Sequence, residues 1–229
     1  MSFSRYAIFY LPPVDAGWAQ LCTHWLGWDV NSGNKIAQPD LAGLPLPISE
    51  ITQAPQKYGL HATLKPPFRL VSDQTEAALK SACAALAHDQ VPVQLQSLSI
   101  TRLGRFLALC PAGPTDTLNA LAARCVSELD QFRAPATSDE LDRRRRSGLS
   151  VRQEHNLTRW GYPHVMDLFR FHITLTGRLP KSALEHIESV LTDLLTAQFS
   201  SPLQLRELAL VGEDDTGHFH LIQRYPLTG

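Results

Sequence analysis

Two segments of the chain carry a histidine and a threonine at the same spacing. One contains His61 and Thr63 within "LHATL", and the other contains His172 and Thr174 within "FHITL". The apolar residues alternate as they do in a strand, where residues i and i+2 point to the same face. Each strand therefore presents an imidazole and a hydroxyl together, and we predict that these four residues are catalytic.

Further polar residues extend both rows with the same period of two. Lys65 follows Thr63 in the first strand, and Arg170 and Thr176 flank the motif of the second strand. Lysine, arginine and threonine donate hydrogen bonds that suit phosphate oxygens. We therefore expect Lys65, Arg170 and Thr176 to bind the substrate.

A pair of imidazoles lining one cleft suits general acid–base catalysis at phosphorus. A neutral imidazole accepts a proton from the attacking water or hydroxyl, while a protonated one donates a proton to the leaving oxygen. The threonine hydroxyls can stabilise charge that develops on the non-bridging oxygens. This chemistry needs no metal ion and no cofactor. The repeat leaves open which histidine is the acid and which is the base.

The pattern of elements around the motifs is also repeated. Residues 5–103 predict the order strand, helix, His strand, helix, strand, and residues 105–212 predict the same order before one further hairpin strand. This duplication predicts an α+β fold in which two sheets face each other about a pseudo-twofold axis, with a central cleft. We expect a single bilobal domain over residues 1–229, with repeats at about 1–103 and 104–229.

Each repeat is interrupted once, before its His strand. In the first repeat, residues 29–57 are rich in proline and glycine and predict a long irregular loop. In the second, residues 135–163 predict a helical insertion that opens with the capping box "TSDE" and contains the run Arg143–Arg146. The insertion has few apolar residues, so we predict a lid whose arginines bind a second phosphate. A solvated helix is the alternative.

Three aromatic or imidazole side chains near the motifs are further candidates for substrate contact. Tyr58 precedes the first His strand, and Tyr162 and His164 lie in the "WGYPH" segment that leads to the second. A tyrosine ring suits contact with a ribose or a base, and packing in the core is the alternative for both tyrosines. We include Tyr58 and Tyr162 among the expected substrate-binding residues.

The two motifs resemble those of the 2H phosphoesterase superfamily, as do the longer strings "KYGLHATLKPPFRL", "LDQFRAP", "RWGYPHV" and "FRFHITLTGRLP". The chain is similar to the LigT-like cyclic phosphodiesterases, and in particular to the branch encoded beside phosphonate-degradation genes. This resemblance implies a LigT-like fold and metal-independent opening of a 2′,3′-cyclic nucleotide or a small cyclic ribose phosphate, in phosphonate metabolism. It also implies that His61 and His172 are the catalytic histidines and that Thr63 and Thr174 bind the phosphate.

Composition argues against several other classes of function. The 229 residues have a formal net charge of −1 and no stripe of interleaved basic and aromatic residues, so we expect no general nucleic-acid binding. No apolar run is long enough to span a bilayer, and the first residues lack a signal-peptide pattern. We therefore predict a cytoplasmic protein without membrane contact. The four cysteines are widely spaced and predict core positions.

Two alternatives concern metal binding and turnover. The "HFH" segment puts His218 and His220 on one face of a strand, as half of a zinc site would require. No third ligand stands out, so we expect no metal. The alternative function is a protein that holds an RNA end or a nucleotide in the same cleft without turnover. The sequence pattern predicts no particular oligomeric state.

Overall fold

The structure is a computed structural model that describes residues 2–199 and 202–229. Its helices are α1 (Gly17–Leu26), α2 (Ile48–Gln56), α3 (Glu76–His88), α4 (Asp116–Glu128), α5 (Ser138–Arg145), α6 (Val151–Trp160) and α7 (Lys181–Leu195). Its strands are β1 (Arg5–Tyr10), β2 (Trp28–Asp29), β3 (Asn34–Lys35), β4 (Ala62–Phe68), β5 (Val93–Leu95), β6 (Ser97–Leu103), β7 (Phe106–Ala112), β8 (Ile173–Thr174), β9 (Leu203–Leu205), β10 (Glu207–Glu213) and β11 (Phe219–Pro226). Helices are interspersed among antiparallel strands, which is the α+β class that the sequence predicts.

Seven strands form one antiparallel sheet in the order β11-β10-β1-β4-β8-β7-β6. In the two repeats, β1 corresponds to β7, β4 to β8, and β6 to β10. The order β10-β1-β4-β8-β7-β6 is therefore the same from either end, and β5 pairs with its counterpart β9 in a separate small sheet. The predicted duplication about a pseudo-twofold axis is present. Its two sheets are the halves of one larger sheet, joined edge to edge where β4 meets β8.

The helices α1, α3, α4 and α7 pack against this sheet because their apolar residues recur at helical spacing. In α4, for example, Leu118 and Cys125 lie two turns apart and both are fully buried. Residues of both repeats meet in one continuous hydrophobic core. Cys22, Cys83 and Cys125 lie in that core as predicted, whereas Cys110 is only half-buried near the end of β7. No helix in the described part of the chain is long and apolar enough to cross a membrane.

The segment 29–57, which the sequence predicts to be an irregular loop, contains regular structure. The strands β2 and β3 pair as a short hairpin, and α2 follows them. Pro55 lies in the last turn of α2 and has no N–H to donate to the carbonyl of Ile51. The N–H of Gly177 donates to that carbonyl instead, at 2.7 Å. The helix that the sequence pattern missed therefore holds the chain just after the second motif.

The two motif strands differ in extent from the sequence prediction. The pair Pro66–Pro67 predicts the end of the first strand, yet β4 continues through it to Phe68. Its register with β1 shifts on either side of Ile8, and such irregular positions tolerate proline. The second motif strand, β8, is only two residues long, whereas the pattern predicts a strand over residues 169–176.

Candidate active site

One strand pair brings the two motifs together. Ala62 of β4 pairs with Ile173 of β8, and both side chains are buried in the core. In this antiparallel register, His61 lies opposite Thr174 on one side of the pair. On the other side of the pair, Thr63 lies opposite His172. Directly opposite residues share a face, with Cβ atoms roughly 5 Å apart, and diagonal neighbours are roughly 7–8 Å apart. The four predicted residues thus form one patch, with the imidazoles on its diagonal.

Both imidazoles are oriented in the same way by the backbone of their own strand. Nδ1 of His61 lies 3.0 Å from the carbonyl oxygen of Gly59, and Nδ1 of His172 lies 2.8 Å from that of Arg170. A carbonyl oxygen can only accept, so each Nδ1 carries the proton and donates it. Each Nε2 is consequently the ring nitrogen left for proton exchange with a ligand.

Apolar and aromatic rings surround His61. The ring of Phe9 lies 4.0 Å from the imidazole between centroids, and the ring of Tyr58 lies 5.5 Å away in a stacked arrangement. Phe219 packs against both of those rings. Burial lowers the pKa of His61 to about 4, with a smaller contribution in the same direction from His172. His61 is therefore neutral at pH 7.

The segment between α2 and β4 sets the position of His61. Gly59 has a φ of +66°, in the left-handed region that favours glycine, and a Cβ there would meet the side chain of Val30 at 3.0 Å. This turn aims the Gly59 carbonyl at the imidazole. Tyr58, which the sequence predicts to contact substrate, is half-buried between the rings of His61 and Phe219.

The surroundings of His172 are more open and more polar. The nearest aromatic ring is that of Phe106, with centroids 6.0 Å apart, and Arg170 is exposed two residues earlier. Helices of the first repeat hold the strand in place. Trp25 of α1 donates from Nε1 to the carbonyl of Leu175 at 2.8 Å, next to the Gly177 contact with α2.

Phe9 and Phe106, which contact the motif histidines, were not singled out by the sequence. Each belongs to a continuous apolar run, "AIFYL" or "FLALC", and such a run does not distinguish a ring beside a motif histidine from a ring in the core. The sequence indicates their position only indirectly. The strands that carry them, β1 and β7, are equivalent in the two repeats and flank the motif strands.

Lys65 does not extend the first row, which corrects the prediction that it binds substrate. Phe9 pairs with Thr63 but Ile8 pairs with Lys65, so one extra residue of β4 bulges between the two pairs. A bulge turns the following side chain to the other face of the sheet. Lys65 is 2% exposed there, and its Nζ donates to the carbonyl of Val126 at 2.9 Å.

Thr176 likewise does not extend the second row, which corrects the prediction that it binds substrate. The N–H groups of both Leu175 and Thr176 point to one carbonyl, that of Leu107. Thr176 is 1% exposed, accepts from the Leu107 N–H at 2.9 Å, and donates to the carbonyl of Gly177. Its hydroxyl is fully occupied by backbone groups and faces no cleft.

The helical insertion lies beside the second motif. The predicted capping box, formed by Thr137 and Glu140, is present at the start of α5. At its other end Arg144 lies over the ring of Tyr162, with the guanidinium carbon 4.5 Å from the ring centroid. The ring of Tyr162 in turn contacts that of His164, 6.0 Å away between centroids.

The "HFH" histidines are held by groups of their own hairpin. His220 Nε2 lies 2.8 Å from a carboxylate oxygen of Asp214, and His218 Nδ1 lies 2.8 Å from the hydroxyl of Thr216. Within residues 2–199 and 202–229, no group of three or more histidine, cysteine, aspartate or glutamate side chains is arranged to hold a metal ion.

Comparison with known proteins finds relatives over the whole chain. A protein of Janthinobacterium sp. (strain Marseille) named "Ribose 1,5-bisphosphate phosphokinase PhnN" is 37% identical over an alignment of 234 residues, gaps included, that covers 100% of this chain and 52% of the relative. A protein of the same name from Laribacter hongkongensis (strain HLHK9) is 34% identical over 175 residues, 76% of this chain and 40% of the relative. The chain thus spans about half the length, or less, of these curated relatives.

Among solved structures, E. coli LigT in its apo form is similar to this chain, with a TM-score of 0.49 and 16% identity over 100% of both chains. LigT is thus among the similar structures, as the sequence resemblance predicts. The family described as "Protein of unknown function (DUF1045)" matches residues 63–220. That match spans more than half of the sequence and includes the second motif complete, so the chain belongs to this family.

Proposed function

We propose that this protein is a metal-independent phosphodiesterase that opens a small cyclic ribose phosphate or a 2′,3′-cyclic nucleotide. The observation that carries the proposal is the patch of two histidines and two threonines around the Ala62–Ile173 pair. Both Nδ1 atoms are occupied by backbone carbonyls, so two Nε2 atoms remain for proton transfer on either side of a phosphate. In-line displacement at phosphorus requires a proton acceptor and a proton donor in that relation.

Because the two histidines have different surroundings, we assign them different roles in proton transfer. His61 is neutral at pH 7 because burial lowers its pKa to about 4, so it acts as the general base. His172, the other imidazole of the patch, acts as the general acid that gives the leaving oxygen its proton. Thr63 and Thr174 donate to the non-bridging oxygens, where negative charge increases in the transition state.

The reaction balances with water as the only co-reactant. Nε2 of His61 takes a proton from water as the water oxygen forms a bond to phosphorus. The bond from phosphorus to one ring oxygen breaks, and Nε2 of His172 gives that oxygen its proton. The product is a phosphate monoester with a free hydroxyl. Proton exchange with solvent then returns both imidazoles to their starting states.

The names of the curated relatives support a ribose phosphate as substrate. Each is named as a kinase acting on ribose 1,5-bisphosphate. Hydrolysis of a ribose 1,2-cyclic phosphate at the bond to O2 leaves a phosphate on O1, which is one of the two phosphates in that compound. We propose that this chain acts in phosphonate metabolism, on the side of the pathway where ribose phosphates are made.

The test is hydrolysis in the presence of a chelator. Purified protein is incubated with ribose 1,2-cyclic phosphate or 2′,3′-cyclic AMP in excess EDTA and ¹⁸O-labelled water, and products are followed by ³¹P NMR. We expect a phosphate monoester that contains one labelled oxygen, at a rate that EDTA does not change. Binding without any product would favour the nucleotide-holding alternative, and activity restored only by added zinc would contradict the two-histidine mechanism.

A further inference from the structure

Three cationic or imidazole side chains lie together next to the second motif, and we name them the cationic cluster: Arg144, His164 and Arg170. Arg144 and His164 both contact the ring of Tyr162, Arg144 at 4.5 Å from its centroid and His164 at 6.0 Å between centroids. Arg170 stands two residues before His172, and its backbone carbonyl oxygen accepts the hydrogen bond from Nδ1–H of that histidine. The cluster therefore extends outward from one catalytic histidine.

Among residues 2–199 and 202–229, no carboxylate lies within ion-pair distance of the two arginines of this cluster. Most arginines in the described part of the chain pair with an acidic side chain, as Arg145 does with Glu154 at 2.6 Å. Within that same part, neither Arg144 nor Arg170 has a carboxylate oxygen within 4.0 Å. The pKa of His164 is lowered first by burial and then by the nearby charges of Arg144 and Arg170, so the local field is positive.

Hydrogen bonds to the rest of the fold hold the segments that carry the cationic cluster. Asn156 of α6 is 2% exposed, and its side-chain amide donates to the carbonyl of Val165 at 3.0 Å. The same amide lies 3.5 Å from the carbonyl oxygen of Pro163, so the two contacts hold the chain on either side of His164. Arg69 holds Glu140 of α5 at 2.9 Å, which docks the helix that carries Arg144 against the end of β4. Uncompensated cations held in fixed positions are the arrangement that recognises an anion.

We propose that Arg144, His164 and Arg170 bind a second phosphate group, carried as a phosphomonoester by the same small substrate whose cyclic phosphate is opened between the two histidines. This inference rests on the proposed function. A guanidinium matches a phosphate with two parallel hydrogen bonds, and a phosphomonoester has a greater negative charge than a diester. The substrate class is then a cyclic phosphate of a sugar phosphorylated at its far end, such as ribose 1,2-cyclic phosphate with a 5-phosphate.

The test compares two substrates and two variants. The substrates are ribose 1,2-cyclic phosphate with and without a 5-phosphate, and the variants are Arg144→Gln and Arg146→Gln. Arg146 belongs to the same run of arginines but lies exposed at the end of the helix and outside the cationic cluster, so it is the matched control that separates the cluster from the run as a whole. We expect Arg144→Gln to raise KM for the 5-phosphorylated substrate by about 10- to 100-fold, the loss typical of a charged hydrogen bond. KM for the plain substrate and both values for Arg146→Gln should stay within about threefold of wild type.

A binding measurement separates failure of this inference from failure of the proposed function. Affinity for ribose 5-phosphate is measured by calorimetry for the wild type and the two variants, with thermal unfolding as a check on folding. Weaker binding in Arg144→Gln alone supports the phosphate site even if no cyclic phosphate is hydrolysed. Equal affinities, or an equal rise of KM for both substrates, would overturn it. In a dinucleotide that ends in a cyclic phosphate, the second phosphate is a diester and not a monoester. A lower KM for that dinucleotide than for the 5-phosphorylated sugar would also overturn the inference.

Discussion

The two halves of the site carry the same motif in different surroundings. Phe9 pairs with Thr63 in the first half, and Ala108 pairs with Thr174 in the second, so these two residues occupy equivalent places. The Phe9 ring packs 4.0 Å from His61, whereas the equivalent residue in the second half, Ala108, has no ring to place beside His172. Duplication therefore supplies a symmetric pair of imidazoles, and the residues around them make the pair unequal.

The inequality comes from the segments in which the repeats differ. In the first half, the backbone N–H of Phe219 in β11 donates to the carbonyl of Lys57 at 2.8 Å, so the extra strand closes over the rings beside His61. In the second half, the helical insertion brings Arg144 and His164 toward His172. One side of the site is enclosed by apolar and aromatic rings, and the other is more exposed and cationic. A substrate with a single charged end would bind in one orientation only.

The largest expected effect is from loss of either histidine. His61→Ala and His172→Ala should each reduce kcat by roughly 10²- to 10⁴-fold, because each removes one of the two proton-transfer groups. The measurement is turnover of a cyclic ribose phosphate, with circular dichroism to show that each variant is folded. Near-wild-type kcat in either variant would contradict the two-histidine mechanism, because one half of the site would then be dispensable for turnover.

The threonines should give a smaller effect that is similar in the two halves. Thr63→Val and Thr174→Val keep the side-chain shape but remove one hydrogen-bond donor to the phosphate. We expect kcat to fall roughly 10- to 1,000-fold in each. Steady-state kinetics on both variants tests the symmetry of the patch. A loss confined to one threonine would show that the phosphate lies in one half rather than between the two.

The sequence allowed the motif patch to be predicted, but not every residue in line with it. The repeat of His-x-Thr and the alternating pattern identify the four patch residues and the duplicated order of elements. The same alternation places Lys65 and Thr176 in the rows, and both lie on the other face because a bulge follows each motif. A bulge inserts one residue into the pairing and depends on the partner strand, so a period of two cannot reveal it.

Solvent exclusion around His61 should appear in the pH dependence of the reaction. Burial disfavours the imidazolium and lowers the pKa of His61 to about 4, so the acidic limb of kcat/KM should have an apparent pKa near that value. Tyr58→Ala admits water to the ring and should move this limb to higher pH, by about one pH unit. The matched control is Phe106→Ala beside His172, which should leave the acidic limb in place. A limb that stays fixed in Tyr58→Ala, or moves equally in both variants, would contradict the assignment of His61 as the buried base.

The smallest effect on activity should come from the two residues that leave the rows. Lys65→Met and Thr176→Val change side chains on the helix-covered face, so kcat/KM should stay within about threefold of wild type, an effect typical of a residue outside the site. Thr176→Val leaves the buried N–H of Leu107 without its acceptor, and the free energy of unfolding should fall by about 1–3 kcal/mol. Urea unfolding followed by fluorescence measures that loss. A large fall of kcat in either variant with unchanged stability would place that side chain at the substrate, and the face assigned by the bulge would then be wrong.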